Sequence, residues 1–142
     1  MRFLVSALAL VLAAYAAASF VPVTATLAFG LDPFALSPER AALIERLAPR
    51  DIAVWLAAVL FYLLTASAIL RRHPRAVWLY ALAIGCDLFG WQVVRSGEAF
   101  NPAFAGAPQA GVIILAAHFI ALALVMVWAR GWGEDARQAR AL

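Results

Sequence analysis

The sequence predicts an all-α membrane protein: a four-transmembrane-helix bundle with a short amphipathic interfacial helix between helices 1 and 2. Composition is the first reason. Hydrophobic residues make up 66% of the chain and charged residues 13%, against about 45–50% and 25% in soluble domains. Mean hydropathy is +0.90. A soluble domain of 142 residues leaves too much of itself at the surface to hide that much apolar area. Spacing is the second reason. Four apolar stretches, 3–29, 52–70, 76–94 and 110–129, are separated by short polar connections. The last three have about 20 residues each, which at about 1.5 Å per residue spans the roughly 30 Å of a hydrocarbon core.

The first stretch is longer and contains Pro22, which predicts a kink or tilt near its outer end. Met1-Arg2 followed by an apolar run also has the shape of a signal peptide, with cleavage candidates at Ala16-Ala17-Ala18 and Val23-Thr24-Ala25. The run continues well past a signal core, so a retained first helix is expected. Between helices 1 and 2, Ser37-Pro38-Glu39 is a helix start: N-cap, proline at the first helical position, early acid. Over 38–48, Ala41, Ile44, Leu47 and Ala48 share one face, while Glu39, Glu45 and Arg46 lie largely elsewhere. That pattern predicts a helix lying on the outer membrane surface. Pro49 ends it, and Asp51 is placed to cap helix 2. The 95–109 loop carries Asn101-Pro102, Gly106 and Pro108 as breakers. Residues 130–142 are expected to form a cytoplasmic tail. The two halves share no repeat, so an inverted-repeat transporter has no support.

Arginine placement sets orientation. All 11 basic residues are arginine. Arg2, Arg71, Arg72, Arg75, Arg130, Arg137 and Arg140 fall on one side, and Arg40, Arg46, Arg50 and Arg95 on the other, partly offset by nearby acids. The positive-inside rule then puts both termini in the cytoplasm. Trp55 and Trp91 fall near the outer ends of their helices and Trp78 and Trp128 near the inner ends, as an aromatic belt requires. The arginine and alanine bias suggests a GC-rich bacterial genome, hence a bacterial inner membrane. The net charge of +3 and pI of about 9.8 reflect these flanking arginines, so no nucleic-acid partner is expected. The expected partners are the lipid bilayer and protein subunits or further copies within it.

Little in the chain carries chemistry. The lone Cys86 excludes an intramolecular disulfide and thiol-pair redox chemistry. Two ionisable residues, Asp87 and His118, lie inside predicted spans. An acid there costs about 2.5–3.5 kcal/mol on insertion scales, so it seeks a partner. Both residues fall roughly 10–12 Å below the outer boundary, on consecutive antiparallel helices. They are therefore expected within hydrogen-bond reach, directly or through one water. Tyr62 and Ser19 fall at broadly similar depths and extend the candidate cluster. Asp87, Trp91 and Arg95, at i, i+4 and i+8, form a stripe leading outward, either lining a cavity or serving as belt residue and helix end. The Asp87–His118 pair reads either as a proton or ligand site or as a bond that fixes helix packing. His73 and His118 are about 18 Å apart along the membrane normal, too far for one bis-histidine haem. No metal and no cofactor are expected. Small residues at four-residue spacing (Ala9, Ala13 and Ala17; Ala81 and Gly85; Ala117 and Ala121) suggest close helix contacts.

The leading functional expectation is a non-enzymatic accessory or scaffold subunit of a larger inner-membrane assembly. A second is an oligomeric small transporter or proton-coupled permease using Asp87 and His118. A third is a quinone- or haem-associated redox component. The topology is directly testable. Reporter fusions after Arg75 and at the C-terminus should both read cytoplasmic, and one after Pro49 external; an external C-terminus would overturn the orientation.

Overall fold

A chain this apolar must satisfy its backbone hydrogen bonds within itself, and long helices are one of the two ways to do so in lipid. The computed structural model describes residues 2–30, 44, 47–95 and 110–138, with side chains for 3–30, 44, 47–90 and 112–132. These residues are helical apart from 30, 47–48 and the 71–75 turn, and contain no strand. The helices are α1 (Arg2–Phe29), α2 (Pro49–Leu70), α3 (Ala76–Arg95) and α4 (Ala110–Gln138). Within them Phe3–Phe29, Pro49–Leu70 and Val112–Trp132 are long and apolar enough to cross a membrane, whereas α3 contributes a shorter apolar run, Ala76–Gly90.

The packing residues recur at alternating spacings of three and four. On α1 they are Val5, Ala9, Leu12 and Ala16; on α2, Ala58, Tyr62, Thr65 and Ile69; on α3, Ala76, Tyr80 and Ala83. On α4 the buried residues are His118, Val125 and Trp132, one per heptad, with Leu115, Leu122 and Ala129 half-buried between them. This three-and-four spacing is that of a narrow coiled-coil-like seam. It corrects the small-residue expectation. Ala9 is buried, but Ala13 only half so, and Ala17, Gly85 and Ala117 are exposed. A Cβ added to Gly85 would meet nothing within 4 Å. The sequence offered steps of four, while the bundle uses threes and fours.

α2 is the central element, packed against both α1 and α3, and α4 leans on α3 over a smaller surface. The outward faces are as apolar as the seams. Phe3, Leu10 and Val11 on α1, Leu60 on α2, Phe89 on α3 and Ile113, Ile120 and Val127 on α4 are all exposed. In water such a surface would aggregate; hydrocarbon solvates it at no cost.

The helix ends show how the chain turns. α1 runs through Pro22, which cannot donate to the carbonyl one turn back. It stops at Gly30, whose φ of 61° and N–H bond to the Thr26 carbonyl (3.1 Å) form a left-handed cap. α2 begins with Pro49 at its first position, and the Asp51 carboxylate accepts the Ala48 N–H at 3.1 Å. This is half of a capping box, because alanine has no side-chain oxygen to complete it. α2 ends with the His73 N–H donating to the Ala68 carbonyl (2.8 Å) and that of Arg72 to Ile69 (3.0 Å), a Schellman motif. Its left-handed residue is Arg72, φ 52°, where glycine is usual. His73 leads into α3: its Nδ1 accepts the Arg75 N–H at 3.1 Å, and its carbonyl accepts the Ala76 N–H at 3.0 Å.

Three boundaries differ from expectation. α2 starts three residues earlier than 52, drawn back by the Pro49 start and Asp51. α3 runs one residue further, to Arg95. α4 does not stop at 129 but continues to Gln138. Trp132 lies one heptad beyond Val125 and is buried, so packing carries the helix past the polar residues at its end, where no proline intervenes. Most of the helix expected over 38–48 lies outside the described residues. Of it Ile44 is buried, and the Leu47 N–H donates to its carbonyl at 3.2 Å.

The Arg72 conformation makes a prediction. A left-handed non-glycine residue costs about 1–2 kcal/mol, and glycine's extra chain entropy returns part of that. Arg72→Gly should stabilise the bundle by roughly 0.5–1 kcal/mol in reversible detergent unfolding, and β-branched Arg72→Val should destabilise it.

Candidate functional site

Polar side chains inside an apolar bundle must find each other, and here they meet at one point. The chain has three tyrosines, and each bonds to Asp87 or His118. Tyr15 on α1 donates its hydroxyl to Asp87 Oδ2 at 3.1 Å. Tyr62 on α2 donates to the same oxygen at 3.0 Å and lies 3.5 Å from His118 Nε2. Tyr80 on α3 lies 2.9 Å from His118 Nδ1. The order is Tyr80, His118, Tyr62, Asp87, Tyr15, and it draws on all four helices. Tyr62, Tyr80 and His118 are 2%, 0% and 8% exposed, while Asp87 and Tyr15 are half-buried.

The rings pack around the bonds. The Tyr15 ring is edge-on to His118, centroids 5.0 Å apart, and edge-on to Tyr62 at 5.2 Å. Tyr62 lies 5.2 Å from the imidazole at a 30° tilt, and Tyr80 stands edge-on to it at 5.9 Å. Edge-to-face pairs at these distances add about 0.5–1.5 kcal/mol each. The imidazole is therefore held in an aromatic cage as well as by hydrogen bonds.

Proton counting assigns the hydrogens. A phenol has one proton. With Asp87 ionised, both Tyr15 and Tyr62 spend theirs on Oδ2. Tyr62 Oη must then accept from His118, which places the imidazole proton on Nε2. Nδ1 is free to accept from Tyr80. One tautomer thus satisfies every contact. Among the described residues no buried side-chain polar atom lacks a partner.

Asp87 and His118, expected to meet directly or through one water, are instead linked through the Tyr62 hydroxyl. A phenol bridges a carboxylate and an imidazole that backbone spacing keeps apart. Ser19 does not extend this chain. It accepts the Trp55 indole N–H at 2.7 Å, one turn beyond Tyr15, with Phe20 stacked on Trp55 at 5.8 Å and 9°. Trp55 is thereby tied to α1 as well as placed near a helix end. Trp91 and Arg95 follow Asp87 on α3 by one and two turns, and their side chains lie outside the described residues.

Sequence reasoning missed Tyr15 and Tyr80. Tyr80 precedes Asp87 by seven residues, two turns on one face. Tyr15 precedes Ser19 by four, again on one face. Both signals were present but need a known interface to acquire meaning. No group of three His, Cys, Asp or Glu gathers among the described residues. No protein-family model, curated protein or solved structure matches the chain.

The bridge is testable by a double-mutant cycle. Asp87→Ala and His118→Ala should each cost about 1–3 kcal/mol, because each leaves a buried partner unsatisfied. The double variant should cost less than their sum. In a Tyr62→Phe background the coupling should fall near zero. A coupling of about 1 kcal/mol that survives Tyr62→Phe would show that the two residues act on each other directly.

Proposed function

We propose that this chain is a small non-enzymatic integral membrane protein that spans a bacterial inner membrane four times, both termini cytoplasmic, and serves as an accessory or scaffold subunit of a larger assembly. The observation that carries this reading is the closure of the polar cluster. Asp87, His118 and the three tyrosines are bonded to one another at the helix crossing, and among the described residues the outward faces of the helices are apolar. Such a molecule recognises its surroundings through lipid and helix packing. The fourth crossing is α3, whose 20 residues reach about 30 Å; its acid sits toward the other helices, where α1 and α2 each supply a tyrosine partner.

His118 as a haem ligand is disfavoured by its bonding. Both ring nitrogens are engaged, by Tyr80 and Tyr62, and iron would have to displace one of them. A transporter reading needs the cluster to exchange protons across the membrane.

Mild extraction of the tagged chain, followed by native mass spectrometry, tests the subunit reading. The expected result is a complex heavier than the 15.2 kDa chain, with partners at fixed stoichiometry and no Soret absorption. A lone chain that moves solute or protons by itself in proteoliposomes would overturn it.

A further inference from the structure

Asp87 has no cationic side chain in contact with it among the described residues; its hydrogen-bond partners are two phenols. The one other group in the chain of bonds that ordinarily titrates below pH 8 is His118, reached through Tyr62. With Asp87 ionised and His118 neutral, the cluster carries a net negative charge within an apolar bundle. One added proton makes it neutral overall, whether it sits on the carboxylate or on the imidazole.

The same atoms accommodate both placements. In the first, His118 is an imidazolium and Asp87 a carboxylate. Nε2–H donates to Tyr62 Oη, Tyr62 donates to Asp87 Oδ2, and Nδ1–H donates to Tyr80. In the second, the Nε2–H bond breaks and that proton joins Tyr62 Oη. The original Tyr62 proton passes to Asp87 Oδ2, forming a carboxylic acid. Tyr62 now donates to Nε2, the carboxyl O–H donates to Tyr62, and Nδ1–H still faces Tyr80. Two O–H or N–H bonds break, two form, and the total charge is unchanged. Tyr15 keeps its bond to Asp87 throughout. A packing bond alone would need none of this: asparagine, glutamine or serine would join the helices without the insertion cost of an acid.

We infer that Asp87, Tyr62 and His118 form a binding site for one exchangeable proton, with the Tyr62 hydroxyl passing it between carboxylate and imidazole. The groups facing this site are Tyr15 from α1, Tyr62 from α2, Tyr80 and Asp87 from α3 and His118 from α4. The 3.5 Å separation of Tyr62 from Nε2 is the longest link, and it joins α2 to the least extensively packed helix. A small approach of α4 closes it, so proton passage is coupled to α4 position. The inference rests on the membrane-embedded reading of the cluster, but not on any partner.

The test uses the full chain in lipid nanodiscs, with ¹⁵N-labelled histidine followed by NMR and the Asp87 carboxyl band followed by infrared. The pH is varied over the range where carboxyl and imidazole groups ordinarily titrate, about pH 4 to 8. The His118 and Asp87 signals are expected to change together, at a common midpoint. Asp87→Asn should move the His118 midpoint, and Tyr62→Phe should separate the two responses while Tyr80→Phe keeps them linked. His118 in one neutral tautomer across the range, with an unchanging carboxyl band, would overturn the site and leave the subunit reading intact. Wild-type behaviour in Tyr62→Phe would overturn the relay. The wild-type titration decides the site even if a variant fails to fold.

Discussion

An ionisable side chain in an apolar bundle has nowhere to send its hydrogen bonds except to other side chains, and Asp87 imposes that constraint on every helix. Its Oδ2 accepts from α1 and α2 at 3.1 and 3.0 Å. The bond from α2 continues to α4 through His118, which is anchored in turn to α3 by Tyr80. Breaking a link to the buried Tyr62, Tyr80 or His118 costs about 1–3 kcal/mol for each polar group left unpaired. Hydrophobic burial cannot supply comparable specificity, because lipid tails solvate leucine as well as another helix does. The register of the four helices is therefore set at this crossing more than by the seams around it.

Those seams have a consistent division of labour. Each carries residues at three-and-four spacing, but α2 buries two faces, as Val59 and Ala66 add to the Ala58–Ile69 line. α4 buries a single stripe. The helix holding His118 is thus the one with the least packing to fix it, and its longest polar link is to α2. In a bundle, motion concentrates where few buried contacts oppose it. A site whose imidazole rides on the lightly packed helix and whose carboxylate rides on a better-packed one has the two parts that coupling requires.

The connection between α2 and α3 shows two constraints meeting. A short turn there favours glycine at the left-handed position, yet connections flanking apolar helices are enriched in arginine where they set orientation. Arg72 occupies the strained position, between Arg71 and a histidine that caps the next helix. Local backbone economy gives way to charge, and the Schellman bonds hold the turn despite it.

Sequence alone determined the all-helical class, the location of the apolar helices, Asp51 as a cap and the two ionisable residues inside the helices. Each follows from chain-local physics: hydropathy over a membrane length, preferred cap chemistry, the cost of charge in hydrocarbon. Depth arithmetic also placed Asp87 and His118 at one level, because helical rise is constant. Tertiary structure decided what depth cannot. Rotation about each helix axis is set by packing, and that rotation selects Tyr62 as a bridge, adds Tyr15 and Tyr80, and turns Ser19 to Trp55. It also chose a three-and-four seam over the steps of four among the alanines, since residues that share a face on a straight helix do not all stay in contact as helices coil about one another. The helical continuation of α4 past 129 has the same origin: Trp132 is buried by its neighbours, and only the assembled bundle contains them.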